Sequence, residues 1–145
     1  MRIVYLTDDF PPRGRRSVAS VVALLQRGMQ ERGHDVTVIT THRRAESAEI
    51  LRWTPSERSA SKGNGNVVSL PVSFRTSLRH YRMVFSMDPA RIVQEELQHL
   101  RPDIVHAHNI HQYMGYRSLD AARSVTSRVF LTTHDVMSFS YGRLA

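Results

Sequence analysis

The 145-residue chain contains no cysteine and a single lysine, Lys62. The lack of cysteine excludes disulfide scaffolds, iron–sulfur sites, cysteine-ligated zinc and thiol nucleophiles. No apolar run approaches the ~18 residues of a membrane-spanning helix, and residues 1–5 show no signal-peptide pattern, so we expect a cytoplasmic protein. The length and the hydrophobic content of 41% are those of one globular domain.

Positive charge dominates the chain, with 20 basic residues against 13 acidic ones and a formal net charge of +7. Nearly all the basic residues are arginine, which binds phosphate and carboxylate groups through two-point contacts, so we expect an anionic partner. The arginines are spread along the sequence without a recognition motif, which disfavours nucleic acid. A nucleotide, an anionic membrane surface or another protein chain remain as candidate partners.

Apolar runs alternate with segments of helical periodicity along the whole chain. Strands are predicted at residues 2–7, 36–40, 67–72, 103–107 and 128–133, and helices at 17–33, 74–86, 88–100 and 112–126. This order predicts an α/β domain with a doubly wound, Rossmann-like sheet of about five mainly parallel strands and helices on both faces. Such a domain usually continues beyond its fifth strand, so we expect residues 1–145 to be incomplete at the C-terminus.

Two segments interrupt this regular pattern. Residues 54–66 are polar and offer little to bury, which predicts a mobile loop. Residues 74–86 contain an apolar stripe at helical spacing, formed by Phe74, Leu78, Tyr81 and Phe85 and flanked by arginines. This stripe is typical of a helix on an anionic membrane surface, and equally of a helix that packs against the sheet.

The carboxyl ends of parallel strands indicate where a ligand would bind, at the point where the strand order reverses. For the order 3-2-1-4-5, the side chains expected around one crevice are those of Gly14, Ser17, His108 and Asn109. His134 and Asp135 follow the next strand. The loop Gly14-Arg15-Arg16 leads to Ser17, the predicted helix cap, where free N–H groups favour an anion. No GxGxxG or GxxxxGK[ST] motif is present, which disfavours a dinucleotide or Walker-type site.

Two other kinds of site are weighed against this crevice. His106, His108 and His111 follow a spacing that a metallohydrolase could use, but later strands offer only His134 and Asp135 as further ligands, so no metal site is predicted. The buried strand position of His106 favours packing instead. The pair Asp8-Asp9 resembles that of receiver domains, but these require a lysine after the fifth strand, and none is present there.

Four blocks of sequence carry a family resemblance. They are MRIVYLT with Pro11-Pro12, ERGHDVTVIT at 31–40, RPDIVHAH at 101–108 and LTTHD at 131–135. In this order they resemble the N-terminal domain of family 4 glycosyltransferases. The resemblance implies the two-domain GT-B architecture, in which an acceptor-side domain and a nucleotide-sugar-binding domain face each other across the active site. It also implies no metal and no cofactor, since the nucleotide sugar is the donor substrate.

The resemblance assigns a role to each candidate residue. Gly14, Arg15, Arg16 and Ser17 correspond to the glycine-rich loop that approaches the donor diphosphate. His134 corresponds to the histidine near the reacting sugar, with Asp135 beside it, and His108-Asn109 to the end of strand four in the same cleft. Arg15 and Arg16 replace the usual pair of glycines. Either Gly14 serves in a shifted loop, with arginine side chains as donors, or the site is altered.

The sequence therefore predicts the acceptor-side domain of a retaining glycosyltransferase. We do not expect turnover by this chain alone, because the donor-binding domain is absent and would have to come from a longer polypeptide or a partner chain. The alternative is a non-catalytic binding module of the same fold, such as an adaptor or a split-enzyme subunit. The donor sugar and the acceptor are not identified by the sequence.

Overall fold

A computed structural model describes residues 1–11, 17–43, 66–72 and 88–135. The strands in these ranges are β1 (Arg2–Thr7), β2 (Asp35–Arg43), β3 (Asn66–Val72), β4 (Ile104–His108) and β5 (Val129–Thr132). The helices are α1 (Ser17–Glu31), α2 (Asp88–Leu100) and α3 (Arg117–Arg123). Gly14, Arg15, Arg16, the predicted helix at 74–86 and the predicted loop up to residue 65 lie outside the described residues.

The five strands form one parallel sheet in the order β3-β2-β1-β4-β5. This confirms the predicted doubly wound fold, and the strand order is the one assumed for the expected crevice. β1 lies at the centre, and Ile3 to Thr7 are buried, because helices cover both faces of the sheet. At the carboxyl end of β1, Thr7 pairs with His108 of β4, where the strand order reverses.

The alternation of side chains along β1 produces two core layers. Val4 and Leu6 face α2 and α3, where they join a cluster that includes Leu97. Ile3 and Tyr5 face α1 and pack in a cluster with Val22. The nearly continuous apolar run of β1 is thus required by a strand that has a core on each side.

Helix α1 ends at Glu31, and Gly33 forms its C-terminal stop, as the sequence predicts. The Gly33 N–H donates to the Gln30 carbonyl at 2.9 Å, and the His34 N–H donates to the Met29 carbonyl at 3.1 Å. This pair of bonds is the Schellman motif, which requires a left-handed residue, and Gly33 supplies it with φ +79°. The chain then turns directly into β2.

The prediction of a helix over residues 112–126 is wrong at its start, since α3 spans only Arg117–Arg123. The backbone N–H groups of Gln112 and Met114 donate to the carboxyl group of Asp8 instead of to helical carbonyls. Gly115 then adopts φ +77°, which no α-helix accommodates. A contact with the residue that follows β1 therefore overrides the local helical pattern.

No helix within the described ranges is long and apolar enough to cross a membrane.

Candidate functional site

A cleft of about 240 Å³ opens at the carboxyl ends of β1, β4 and β5. Its lining residues are Thr7, Asp8, Asp9, Val18, Asn109, His111, Gln112, His134 and Asp135. The fold therefore brings together Asn109, His134 and Asp135 of the predicted site, and α1 begins at Ser17, next to the lining residue Val18. His108 lies behind the cleft with 1% of its surface exposed.

Asn109 joins the end of β4 to the segment that follows β5. Its Oδ1 accepts a hydrogen bond from the His134 backbone N–H at 2.9 Å, and its Nδ2 donates to Oδ2 of Asp135 at 2.9 Å. Because one partner is an N–H and the other a carboxylate, the orientation of the amide is fixed. Asn109 has φ +43°, a conformation that asparagine tolerates better than most residues. One side chain thus holds both candidate residues that follow β5.

The histidine row is a series of three neighbouring rings beside the contacts of Asn109, formed by His106, His108 and His134. His106 and His108 lie on the same face of β4, as their spacing predicts, with ring centroids 4.2 Å apart. Nδ1 of His108 lies 2.9 Å from Nε2 of His134, and the two rings stack at 5.2 Å. Nε2 of His106 lies 2.8 Å from the hydroxyl of Thr132. The buried ring of His108 therefore holds the exposed ring of His134 in position.

Burial keeps these two inner histidines uncharged. It lowers the pKa of His108 to about 4, and the neighbouring His106 and His134 add to this effect. Burial, together with His134, also lowers the pKa of His106. Both rings are neutral at physiological pH, so they act through hydrogen bonds rather than through charge. Among the described residues, no three histidine or carboxylate side chains are arranged to hold a metal ion.

Asp8 is the site residue whose role the sequence reasoning missed. Asp8 is 4% exposed, and its carboxyl group accepts the N–H of Gln112 at 2.6 Å and the N–H of Met114 at 2.8 Å. Burial raises the pKa of this carboxyl to about 7, although the amide bonds oppose the shift. The available signal was an acidic residue directly after an apolar strand, which we compared only with receiver domains.

The turn that Asp8 holds forms one wall of the cleft. This turn carries His111, whose Nε2 lies 3.7 Å from Oδ2 of Asp135 on the opposite wall. His111 is buried, whereas Asp135 is exposed. The cleft is therefore lined by hydrogen-bonding side chains from the ends of three adjacent strands.

A comparison with protein families gives one match. The family described as "Glycosyl transferase 4-like domain" matches residues 17–145, which include the whole of the sheet except β1 and all of the β4 and β5 ends that form the cleft. A comparison with curated proteins finds no match.

The turn at residues 112–114 gives a first prediction. Replacing Asp8 with alanine leaves two backbone N–H groups without their acceptor, so we expect Asp8→Ala to lower the free energy of unfolding by about 3 kcal/mol. Urea denaturation measures this loss, and hydrogen exchange should accelerate at the amides of Gln112 and Met114. The exposed Asp35→Ala is the control and should change little. Unchanged exchange at both amides in Asp8→Ala would contradict the assigned contact.

The buried ring of His108 gives a second prediction, for the dependence of stability on pH. Its pKa is lowered in the folded state, so its contribution is complete above the unfolded pKa near 6.5 and is lost as the pH falls towards 4. Over this range the wild type should lose about 3 kcal/mol of unfolding free energy relative to His108→Asn. Urea denaturation at several pH values measures the difference. The exposed His99→Asn should follow the wild type, and parallel curves for wild type and His108→Asn would refute the assignment.

Proposed function

The chain belongs to the glycosyl transferase 4-like domain family, and from this premise we propose that it is the acceptor-side lobe of a retaining glycosyltransferase. In this role it helps to move a sugar from a nucleotide sugar to an acceptor. The observation that carries the proposal is the cluster of His134, Asn109 and Asp135 at the carboxyl edge of the sheet. In doubly wound domains this edge, beside the reversal of strand order, is where ligands bind.

The chemistry of glycosyl transfer fits the groups in this cleft. As the bond to the diphosphate breaks, negative charge develops on the leaving oxygen, and the sugar approaches an oxocarbenium ion. Fixed hydrogen-bond donors stabilise the negative charge on the leaving oxygen better than mobile water does, because they need no reorganisation. We assign this role to His134, whose ring is exposed at the cleft and held by its neighbours. Asn109 keeps His134 in place by accepting its backbone N–H, and it also bonds the neighbouring Asp135.

The size of the cleft supports a second lobe. Sites for small molecules usually measure about 300–1,000 Å³, and the part formed by the described residues measures about 240 Å³. A nucleotide sugar needs further walls. We propose that a nucleotide-sugar-binding lobe supplies them, either from the same polypeptide or from a separate chain, and that the lobe described here does not turn over alone.

Several finer assignments complete the proposal. The segment Gly14-Arg15-Arg16 precedes Ser17 at the start of α1, where helix N–H groups and arginine side chains would favour a diphosphate. We propose, as the family resemblance implies, that the transfer needs no metal. A cytoplasmic location and attachment of residues 74–86 to an anionic membrane surface stay predictions.

A transfer assay tests the proposal. The chain is mixed with candidate nucleotide sugars and acceptors, with and without a separately purified donor-binding lobe, and sugar transfer is measured. We expect transfer only when both lobes are present, and we expect His134→Ala to lower kcat by about 10²-fold, the effect of losing a donor to the reacting atoms. His99→Ala, on the exposed side of α2, is the matched control.

Three results would contradict parts of this account. Transfer by the chain alone would overturn the need for a second lobe. A normal kcat in His134→Ala would remove His134 from the reaction. Tight binding to a protein partner without transfer in any mixture would favour a non-catalytic module of the same fold.

A further inference from the structure

The contact between His108 and His134 determines which nitrogen of each ring carries a proton. The two nitrogens lie 2.9 Å apart, so exactly one of them carries the shared proton. Because His108 is neutral at physiological pH, its ring holds one proton, on either Nδ1 or Nε2. The choice at His108 therefore determines which nitrogen of His134 is protonated.

Burial decides the choice. Nε2 of His108 is fully buried and has no hydrogen-bond partner among the described residues. A proton on this atom would leave an N–H group buried without an acceptor, and buried N–H groups are left unpaired more rarely than acceptors are. A proton on Nδ1 avoids this penalty and donates to Nε2 of His134. His108 is thus the donor, and His134 is the acceptor.

We propose that His108 is a positioning residue that fixes the tautomer of His134 so that His134 presents its Nδ1–H to the cleft. Nε2 of His134 accepts the bond from His108, and the described residues leave Nδ1 of His134 without a partner. The ring lines the cleft and is exposed. An N–H group that faces the cleft at this point recognises an oxygen acceptor.

This tautomer defines what His134 can do in the reaction. A neutral ring with Nδ1–H donates a hydrogen bond to a hydroxyl or phosphate oxygen and cannot take a proton from the acceptor hydroxyl at that atom. His134 would thus stabilise charge on an oxygen rather than act as a general base. The use of this donor rests on the proposed function, whereas the tautomer can be measured without any activity.

Nitrogen-15 spectroscopy tests the inference on the full chain. With ¹⁵N-labelled histidine at pH 7.5, two-bond ¹H–¹⁵N correlations show which nitrogen of each ring carries the proton, and loss of signals in His134→Ala assigns that ring. We expect protonated Nδ1 and unprotonated Nε2 in both His108 and His134. A protonated Nε2 in His134 would overturn the proposal.

Two variants at position 108 separate positioning from mere packing. His108→Leu fills the space without a donor, so the ratio of Nδ1–H to Nε2–H forms of His134 should fall about tenfold, the effect of losing one hydrogen bond. His108→Asn keeps a donor near the site of Nδ1 and should restore most of the ratio. His99→Gln, an exposed change, should leave the His134 signals unaltered. An unchanged ratio in His108→Leu would show that His108 does not set the tautomer.

The nitrogen-15 measurement and the transfer assay test separate proposals. If sugar transfer is absent but the tautomers are as expected, the proposed function fails and the positioning role of His108 remains. If transfer occurs while His134 carries its proton on Nε2, only the positioning role fails.

Discussion

Asp8, which follows β1, connects the ends of three strands at the edge where the cleft opens, through its buried carboxyl group and its backbone carbonyl. Its side chain accepts the amides of Gln112 and Met114, which follow β4, and its carbonyl accepts the Thr41 hydroxyl of β2 at 2.8 Å. Burial of a carboxyl group is costly unless its oxygens are hydrogen-bonded. Here the backbone supplies those bonds, and Asp8 fixes a turn in a segment whose sequence pattern favours a helix.

The two hydrogen bonds of Asn109 repeat this arrangement one strand further along the sheet. Asp8 secures the wall that carries His111, and Asn109 secures the segment that carries His134 and Asp135. In both cases a short polar side chain at the end of one strand binds backbone or side-chain groups in the segment that follows the neighbouring strand of the sheet. The cleft is therefore preorganised by contacts that do not themselves need to touch a substrate, while His134 remains exposed.

The sequence predicted those parts of the molecule that follow from local patterns. The order of strands and helices along the chain was predictable, and so was the stop of α1 at Gly33, because apolar periodicity and the glycine act over a few residues. The shared face of His106 and His108 follows from the period of a strand. The start of α3 was not predictable, because the bonds to Asp8 join residues 104 and 106 positions apart. The His108–His134 contact likewise depends on the pairing of His108 with Thr132 across two strands.

We propose that the cluster built around His134 at the carboxyl edge of the sheet binds the reacting sugar. A crystal structure of this chain together with the proposed donor-binding lobe, a nucleotide sugar and an acceptor analogue measures this most directly, through the distance from Nδ1 of His134 to the nearest substrate oxygen. We expect a hydrogen bond of about 2.7–3.2 Å. A sugar bound elsewhere, such as in the groove between α3 and β5 lined by Tyr116 and Phe130, would contradict it.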